Sequence, residues 1–271
     1  MPITIESADD PRVAEFVGLR DRPMADGFFI AETELVVSRL LTSPFQVRSF
    51  LLTPKGYGKL RDQVTAVAAP VYVAERVVMQ QIVGFDLHRG VLASVQRHPL
   101  PSLADVLATA TRLLVIEGSN DLVNLGTVVR SARGLGFDAL VLDPRCADPF
   151  ARRSVRVSMG EIFHLPIVRT TTWPQPLAAI AEAGFETWAL TPDLTATDLF
   201  VMPRPAKLAL LAGAEGPGLT AASRGAAHHQ VRIPMHHGVD SLNLGHAIAI
   251  AMAATSPPVS GAESSHPPIW G

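Results

Sequence analysis

Val231-Arg-Ile-Pro-Met-His-His-Gly-Val-Asp240-Ser-Leu-Asn-Leu-Gly-His-Ala-Ile-Ala-Ile250-Ala-Met-Ala-Ala254 is the stretch that decides the fold. Its short run of β-type residues ends at Pro234, because proline has no N–H to continue a central strand ladder. A turn-rich loop follows, and Ser241-Leu-Asn243 then opens a helix, since serine and asparagine cap the free N–H groups of a first turn. Residues 247–254 are nearly all Ala, Ile and Met, which predicts a helix that is buried on most of its surface.

A second strand–turn–helix pattern lies just upstream. Lys207 to Gly213 is an apolar run without alternation, as in buried parallel strands. The turn after it, Ala214-Glu-Gly-Pro-Gly-Leu-Thr220, places its glycines as Gly-x-x-Gly-x-Gly. This order differs from a Rossmann phosphate loop, and Pro217 removes an N–H donor that such a loop uses. Two such units close together predict a ligand pocket at the carboxyl ends of their strands.

Three segments together resemble the three motifs of the SpoU/TrmH family of SPOUT RNA 2′-O-ribose methyltransferases. They are Asn124-Leu-Gly-Thr-Val-Val-Arg130-Ser-Ala-Arg-Gly-Leu-Gly136-Phe, Leu211-Ala-Gly-Ala-Glu215-Gly-Pro-Gly-Leu and Ile233-Pro-Met-x4-Asp240-Ser241-Leu-Asn243. They stand in the family's order and at family-like spacing over the last two-thirds of the chain. The resemblance implies an α/β fold with a SPOUT-type parallel sheet and a C-terminal deep trefoil knot, S-adenosylmethionine as cofactor, and a homodimer paired through the catalytic domain.

The chain divides into two domains, a linker and a tail. Residues 1–95 resemble the ribosomal protein L30e-like α/β domain that precedes the catalytic domain in many family members, where it binds the RNA substrate. The two prolines of Gln96-Arg-His-Pro-Leu-Pro-Ser102 predict a linker, which we extend over 96–106. Strands and helices alternate over 107–255, as in a parallel sheet covered by helices, and this is the expected catalytic domain. Residues 256–271 are rich in Pro, Ser and Gly and predict a flexible tail.

Hydrophobic periodicity predicts the individual elements. The expected strands are 47–52, 71–73, 90–95, 112–117, 139–143, 186–190, 207–213 and 231–233. The expected helices include 11–20, 58–67, 77–83, 127–135 and 173–183.

Composition indicates a soluble, cytoplasmic protein. A chain of 271 residues with 48% hydrophobic and 18% charged residues suits two modest globular domains. The single cysteine, Cys146, excludes an internal disulfide framework and fits a reducing compartment. The N-terminus has no signal-peptide pattern, and no apolar run approaches the roughly 18 residues of a membrane span.

The charge distribution points to RNA although the net charge of −2 does not. Between residues 130 and 156 there are six arginines and three aspartates. Guanidinium groups bind phosphate in a bidentate way, so this segment is a candidate RNA contact; a solvated helical face is the alternative. The candidate RNA-binding residues are Arg130, Arg133, Arg145, Arg152, Arg153 and Arg156.

The resemblance also implies the roles of single residues. Arg130 matches the family's catalytic arginine, and we assign it to clamp the phosphate beside the target ribose, because a guanidinium does not readily give up its proton. The other catalytic candidates, each with helix capping as an alternative role, are Asn124, Glu215, Ser241 and Asn243. The expected cofactor contacts are Leu211, Ala212, Gly213, Gly216, Ile233, Met235, Ser241, Leu242 and Asn243.

The histidines do not predict a metal site. His228, His229, His236 and His237 form two adjacent pairs flanking a strand, and neighbouring strand residues point to opposite faces. Zinc sites instead use compact sets with a carboxylate or thiolate partner.

The expected activity is therefore S-adenosylmethionine-dependent 2′-O-ribose methylation of 23S rRNA. A leading domain that resembles a ribosomal protein favours structured rRNA over tRNA, whose modifying enzymes often carry short basic extensions instead; residues 1–98 contain 11 basic and 11 acidic residues. Three alternatives stay open at this point. They are a tRNA methyltransferase, a nucleotide-cofactor enzyme with an unusual Gly-rich loop, and a non-catalytic RNA-binding module.

Overall fold

The computed structural model describes residues 2–19, 27–87 and 89–258, which form two α/β units, each with its own sheet. Two expectations fall partly outside these residues: the end of the helix predicted over 11–20, and the flexible tail from residue 259 onward. No helix of the described residues is long and apolar enough to cross a membrane.

The first unit is a five-stranded mixed sheet in the order β1-β4-β3-β5-β2. Its strands are β1 (Ile3–Ile5), β2 (Phe28–Glu32), β3 (Val47–Leu52), β4 (Val71–Ala74) and β5 (Val91–Gln96). Its helices are α1 (Glu34–Leu40), α2 (Pro54–Thr65) and α3 (Arg76–Val83), with a 3₁₀ turn at Pro11–Phe16. β1, β4 and β3 pair in parallel, whereas β5 runs antiparallel to both β3 and β2.

Side-chain caps determine where two helical segments of the first unit begin, and hydrophobic periodicity alone predicted their bounds incorrectly. The helix predicted over 58–67 begins at Pro54, because the Thr53 side chain accepts a hydrogen bond from Gly56 N at 3.1 Å and proline suits the first turn. The segment predicted as a helix over 11–20 forms a 3₁₀ turn over Pro11–Phe16, started by Asp10, which accepts from Arg12 N at 2.9 Å.

The second unit is a seven-stranded sheet in the order β10-β12-β9-β11-β6-β7-β8, and every pairing in it is parallel, as predicted. Its strands are β6 (Arg112–Glu117), β7 (Ala139–Leu142), β8 (Ile167–Arg169), β9 (Glu186–Leu190), β10 (Thr197–Asp198), β11 (Leu208–Gly213) and β12 (His229–Arg232). Its helices are α4 (Leu103–Thr109), α5 (Leu122–Gly134), α6 (Arg152–Val157), α7 (Pro176–Glu182), α8 (Ala221–Ala226) and α9 (Leu244–Thr255). The 3₁₀ turns lie at Glu161–Phe163 and Leu199–Val201.

The linker is shorter than the predicted 96–106. Gln96 belongs to β5, and Ser102 starts α4 through a capping box with Asp105, in which each side chain accepts from the other's backbone N–H at 3.2 and 3.3 Å. Val106 packs with Leu113 in the core of the second unit. The connecting segment is therefore 97–101, and α4 belongs to the second unit.

The two units share one hydrophobic core. Phe29 lies 4.9 Å from Phe150 and 6.0 Å from Phe163 between ring centroids, and Phe45 lies 5.6 and 5.7 Å from the same two rings. Phe29, Phe150 and Phe163 are almost fully buried. Ion pairs surround this aromatic cluster, including Arg97–Asp148 at 2.6 Å and Arg39–Glu161 at 3.1 Å. The first unit is consequently packed onto the second and not merely tethered to it.

Helix α9 positions the last motif beside the first. Gly245 in its first turn lies against Thr127 of α5, and beyond its C-terminus the Ser256 hydroxyl donates to Leu135 O at 2.9 Å. The two helices therefore run side by side in the same direction. Ile248, Ala251 and Met252 are buried, whereas His246 and Ala253 are exposed. The prediction that most of the helix surface is buried is therefore confirmed only for one face.

Candidate active site

A cavity of about 470 Å³ lies at the carboxyl ends of β9, β11 and β12. Residues 190–192 after β9 form one side, the Gly-rich turn after β11 forms a second, and the loop between β12 and α9 forms a third. This is the edge at which parallel α/β sheets bind ligands.

The Gly-rich turn is packed so closely that it leaves no space for a side chain at its first position. A Cβ on Gly213 would lie 2.0 Å from the carbonyl carbon of Gly218. Gly218 N donates to Ala214 O at 2.9 Å and closes the turn, and both Gly216 and Gly218 have positive φ angles, of 85° and 68°. Glycine is required here for sterics and for backbone conformation.

Asn243 joins the three sequence motifs at the edge of the cavity. Its Nδ2 donates to Glu215 Oε1 at 2.7 Å and to Asn124 Oδ1 at 3.1 Å. Glu215 Oε1 also accepts from Leu244 N at 3.2 Å. The predicted candidates Asn124, Glu215 and Asn243 are thus in direct contact, and we call this group the motif joint.

Capping at α9 agrees with the sequence interpretation for Asn243, whereas capping at α5 differs from it. Asn243 is the N-cap of α9, since its Oδ1 accepts from Gly245 N at 3.0 Å and His246 N at 3.3 Å. α5 begins at Leu122, earlier than the predicted 127–135, because Asp121 caps it, so Asn124 lies inside the helix and is 7% exposed. Capping is therefore excluded as the role of Asn124. Ser241 is exposed beside the cavity and caps neither helix.

Eight of the nine predicted cofactor residues line the cavity. Leu211 does not: its side chain is fully buried in the core with Val115 and Ala189. The sequence interpretation missed Leu190, Thr191 and Pro192, although their position directly after a buried strand was a usable signal.

The cavity contains no basic side chain among the described residues that line it. Its ionisable groups are the carboxyl groups of Glu215 and Asp240, and most other walls are apolar, including Ile233, Met235 and Leu242. Such a site suits an adenine ring, ribose hydroxyls and a cationic centre. It does not suit a pyrophosphate, which requires cations or an unobstructed N–H loop. The nucleotide-cofactor alternative is therefore disfavoured by the charge of the site.

Comparison with known proteins agrees with this geometry. Residues 111–253 match the SpoU rRNA Methylase family. A protein of Mycobacterium tuberculosis, named as an uncharacterized tRNA/rRNA methyltransferase, is 44% identical over 90% of this chain and 88% of its own length. The chain belongs to the SpoU methylase family.

Two further relatives extend the match over both units. The 23S rRNA (guanosine(2553)-2′-O)-methyltransferase RlmP of Bacillus subtilis is 28% identical, covering 91% of this chain and 96% of the relative. The AdoMet-bound rRNA methyltransferase structure from Sinorhizobium meliloti has 25% identity and a TM-score of 0.77, covering 93% of this chain and 97% of that one. This SpoU protein is accordingly an S-adenosylmethionine-dependent rRNA/tRNA methyltransferase.

Arg130, the expected phosphate clamp of this SpoU protein, does not line the cavity. It lies on the exposed side of α5, about 9 Å along the helix from Asn124 at 1.5 Å per residue. No hydrogen bond or ion pair joins it to the described part of the chain. The guanidinium is therefore available to a molecule that approaches α5 from outside.

Two of the other predicted RNA contacts belong to the junction between the units. Arg152 pairs with Glu32 of β2 at 2.7 Å and lies 4.5 Å above the ring of Phe85, and Arg156 reaches the same carboxylate at 3.5 Å. Arg152 is also only 26% exposed at its side chain. The structure thus places both residues, above all Arg152, in contacts between the two units.

The remaining arginines are divided between free and paired. Arg153 is exposed and has no partner within residues 2–19, 27–87 and 89–258, whereas Arg133 is 3.9 Å from Glu161. Arg145 donates to both Glu117 and Asp143 at 2.9 Å, so it stabilises the two loops that flank the site. Its pKa is raised above the ordinary value by Asp143.

Two buried carboxylates lie at the carboxyl ends of β6 and β7: Glu117, which contacts the end of the Gly-rich turn, and Asp143, which contacts the loops after β6 and β7. Glu117 is 1% exposed, and its second oxygen accepts from Thr220 N at 3.1 Å. Burial alone would raise the pKa of Asp143, but hydrogen bonds from Gly118 N, Cys146 and Arg145 outweigh it and lower the pKa. Burial and then Asp143 raise the pKa of the Cys146 thiol to about 12, so this thiol stays protonated and chemically inert.

The histidines have structural partners instead of a shared ligand. His228 Nδ1 accepts from Thr187 N at 3.1 Å, and His229 lies 3.1 Å from Glu186. Within the described residues no group of three or more His, Cys, Asp or Glu side chains could hold a metal ion.

Proposed function

We propose that this enzyme methylates the 2′-OH of a ribose in structured RNA, with 23S rRNA preferred over tRNA. The observation that carries the proposal is the motif joint of Asn124, Glu215 and Asn243 at the edge of a cavity without cations. The name of the Bacillus subtilis relative, a 23S rRNA guanosine 2′-O-methyltransferase, supports the same atom and the same RNA.

The reaction depends more on the position of the 2′-OH relative to the methyl donor than on strong acid or base catalysis. S-adenosylmethionine, when bound, supplies a methyl group already activated by the sulfonium. What the chain must add is in-line orientation of the hydroxyl and a route for its proton. The predicted cofactor residues of the Gly-rich turn and of the loop from Ile233 to Asn243 line the cavity, which supports them as the residues that would hold the cofactor.

The motif joint leaves polar atoms available for the ribose. Asn243 and Leu244 occupy only Oε1 of Glu215, and in the described part of the chain Oε2 has no partner. Asn124 uses only its Oδ1 in the joint, so its Nδ2 can donate, and the hydroxyl of Ser241 is exposed nearby. These groups can orient the 2′-OH by hydrogen bonds from two sides.

Arg130 acts in this proposal as a clamp on the phosphate next to the target ribose. Its positive charge favours ionisation of the 2′-OH, and the phosphate relays the proton, because the guanidinium itself cannot. Since Arg130 is outside the cavity of its own subunit, it can serve a site bordered by a second subunit.

We further propose a homodimer formed through the catalytic unit. Phe200 and Val201, on the 3₁₀ turn beside α9, are 60% and 72% exposed, an apolar surface that a second copy would cover. Sedimentation velocity at micromolar concentration is expected to give a dimer. A fully active monomer would contradict this proposal.

The family resemblance also supports two finer features of the fold. We propose that α9 closes a deep trefoil knot; its close packing along α5 and β11 is compatible with this topology. We also propose that residues 1–95 form an L30e-like RNA-binding domain, supported by its five-stranded α/β sheet. We propose that the reaction takes place in the cytoplasm, where rRNA and tRNA substrates and the cofactor occur together.

The test is methylation of separated rRNA and tRNA with labelled cofactor, followed by alkaline hydrolysis. A 2′-O-methyl group blocks cleavage of the adjacent phosphodiester, so we expect label in an alkali-resistant dinucleotide from 23S rRNA. Label on a base would refute the ribose, and label in tRNA alone would identify tRNA as the substrate. RNA binding without any incorporation would instead support the non-catalytic alternative.

A further inference from the structure

A second cavity, of about 720 Å³, adjoins the first and is lined by a different set of charges. The two cavities share the wall formed by Leu190, Thr191 and Pro192, and they share Asp240 on the opposite loop. The second cavity is therefore continuous with the proposed cofactor cavity.

Hydrogen-bond donors in this second cavity come from Arg224 of α8 and Arg232 of β12. Arg224 uses Nη1 to donate to Leu219 O at 2.5 Å, and Arg232 uses Nε to donate to Ala196 O at 3.2 Å. A guanidinium carries five N–H groups, so each arginine is held in place by one bond and has donors left. Neither forms an ion pair with a carboxylate in the described residues.

Hydrogen-bond acceptors come from Asp193 and Asp240, which line the same cavity. Asp193 Oδ1 accepts from Thr195 N and from the Thr195 hydroxyl, each at 2.8 Å, and its pKa is lowered by these bonds. Two carboxylates beside two guanidiniums give a cavity with little net charge. A phosphate would meet repulsion from both aspartates, whereas the edge of a nucleobase carries donors and acceptors together.

The rim of the cavity is apolar and exposed. Leu194 is 84% exposed and Val239 is 50% exposed, and they belong to two different loops that line the cavity, after β9 and after β12. Large apolar side chains at such exposure gain stability when a flat ring covers them, at about 25 cal/mol per Å² of apolar surface buried.

The geometry points to a nucleobase subsite: the cavity lined by Arg224, Arg232, Asp193 and Asp240 binds an unstacked base of the RNA substrate beside the cofactor cavity. The inference rests on the proposed RNA substrate and adds to it the contact that holds the nucleotide. Its ligand is a base with both donors and acceptors on its edge, placed between Leu194 and Val239.

The test is the binding of a 23S rRNA transcript to the cofactor-saturated enzyme, with affinity measured over a range of salt concentrations. In the double variant Arg224→Gln/Arg232→Gln we expect RNA affinity to fall about tenfold or more, because hydrogen bonds to charged groups are lost. The slope of log affinity against log salt should stay unchanged, since that slope counts phosphate contacts. Affinity for S-adenosylmethionine, measured by calorimetry, should also stay unchanged.

A second variant and a control protect the test from effects on folding. Leu194→Ser removes an exposed apolar contact without breaking a hydrogen bond, and it should weaken RNA binding at an unchanged thermal midpoint. Arg204→Gln is the matched control: Arg204 is exposed, lines neither cavity and is held by one bond from its Nε to Ala254 O at 3.0 Å, so this variant should bind RNA like the wild type.

Three results would overturn the subsite. The first is unchanged RNA affinity in both the double variant and Leu194→Ser. The second is a salt slope that falls by about two in the double variant, which would mean that the arginines contact phosphates. The third is weakened S-adenosylmethionine binding, which would assign the cavity to the cofactor. These binding measurements do not depend on where the methyl group is placed. A base-methylated product would refute the ribose proposal and leave the subsite standing.

Discussion

At the scale of single residues, Arg130 is separated from the cavity although it belongs to the same motif as Asn124. We therefore expect Arg130→Ala and Arg130→Lys both to lower kcat by about a hundredfold or more, as for other groups that stabilise developing charge. The lysine variant tests geometry, because it keeps the charge and loses the bidentate fork. Methyl incorporation gives kcat, and calorimetry should show an unchanged Kd for S-adenosylmethionine. Wild-type turnover in either variant would remove Arg130 from the mechanism.

Asn243 has two roles that substitution can separate. Asn243→Ser keeps a good N-cap for α9 and removes the Nδ2 donor that joins Glu215 to Asn124, whereas Asn243→Ala loses both. We expect the alanine variant to be about 1 kcal/mol less stable than the serine variant in urea unfolding. Both should lose most methyl transfer. Full activity in the serine variant would show that the motif joint is not needed for the reaction.

At the scale of elements, apolar runs predicted strands better than periodicity predicted helices. β6 was predicted with its observed bounds, Arg112–Glu117, because an unbroken Leu/Val/Ile run has few alternatives once the sheet is parallel. The starts of α2 and α5 were placed too late because Thr53 and Asp121 were not weighed as caps. The strand β8, of three residues, has no signal of that kind in the sequence.

Asp143 shows how one side chain fixes the loops between elements. It accepts hydrogen bonds from Gly118, Arg145 and Cys146, and its pKa is lowered in the folded protein. The ionised carboxylate therefore contributes its full stability above the unfolded pKa, near 3.8. That contribution is lost as the pH falls through the lower folded pKa. Asp143→Asn should cost about 2–3 kcal/mol at pH 7 and show a weaker dependence on acid than the wild type.

Urea unfolding at neutral and at acidic pH measures both effects of this substitution. Asp62→Asn, on the exposed face of α2, is the matched control and should change neither. An Asp143→Asn variant with wild-type stability at pH 7 would show that the carboxylate does not hold these loops together.

At the scale of the whole molecule, the aromatic junction predicts that both units unfold together. Phe163 is 3% exposed between Phe29 and Phe45, so Phe163→Ala should cost about 3–5 kcal/mol. Calorimetry of the wild type should give one two-state transition, and the variant should separate into two. Val77→Ala, which removes an exposed side chain of α3, should leave the transition unchanged. Two transitions in the wild type would contradict a shared core.

The sequence motifs indicated which residues meet at the sheet edge but not the partners of the nearby arginines, for a physical reason. The residues of the motif joint stand in motifs with fixed neighbours, so their assembly at one sheet edge could be expected. Arg152 and Arg156 were predicted to contact RNA from the local density of arginines. Both also pair with Glu32, which is far away in the chain, and no local pattern indicates that partner. The helix at 103–109 was a different case, since Ser102 and Asp105 were a readable capping box.

The close packing at Gly213 bears on how fast the cofactor can enter and leave the cavity. Backbone atoms of Gly218 occupy the position that a Cβ on Gly213 would take. Because Gly213 is the last residue of β11, we expect the Gly-rich turn to move only together with β11 and the strands paired with it. The facing loop, residues 234–242, has a single backbone hydrogen bond within its described residues, from Val239 N to His236 O at 3.2 Å. We therefore expect this loop, and not the Gly-rich turn, to set the residence time of the cofactor.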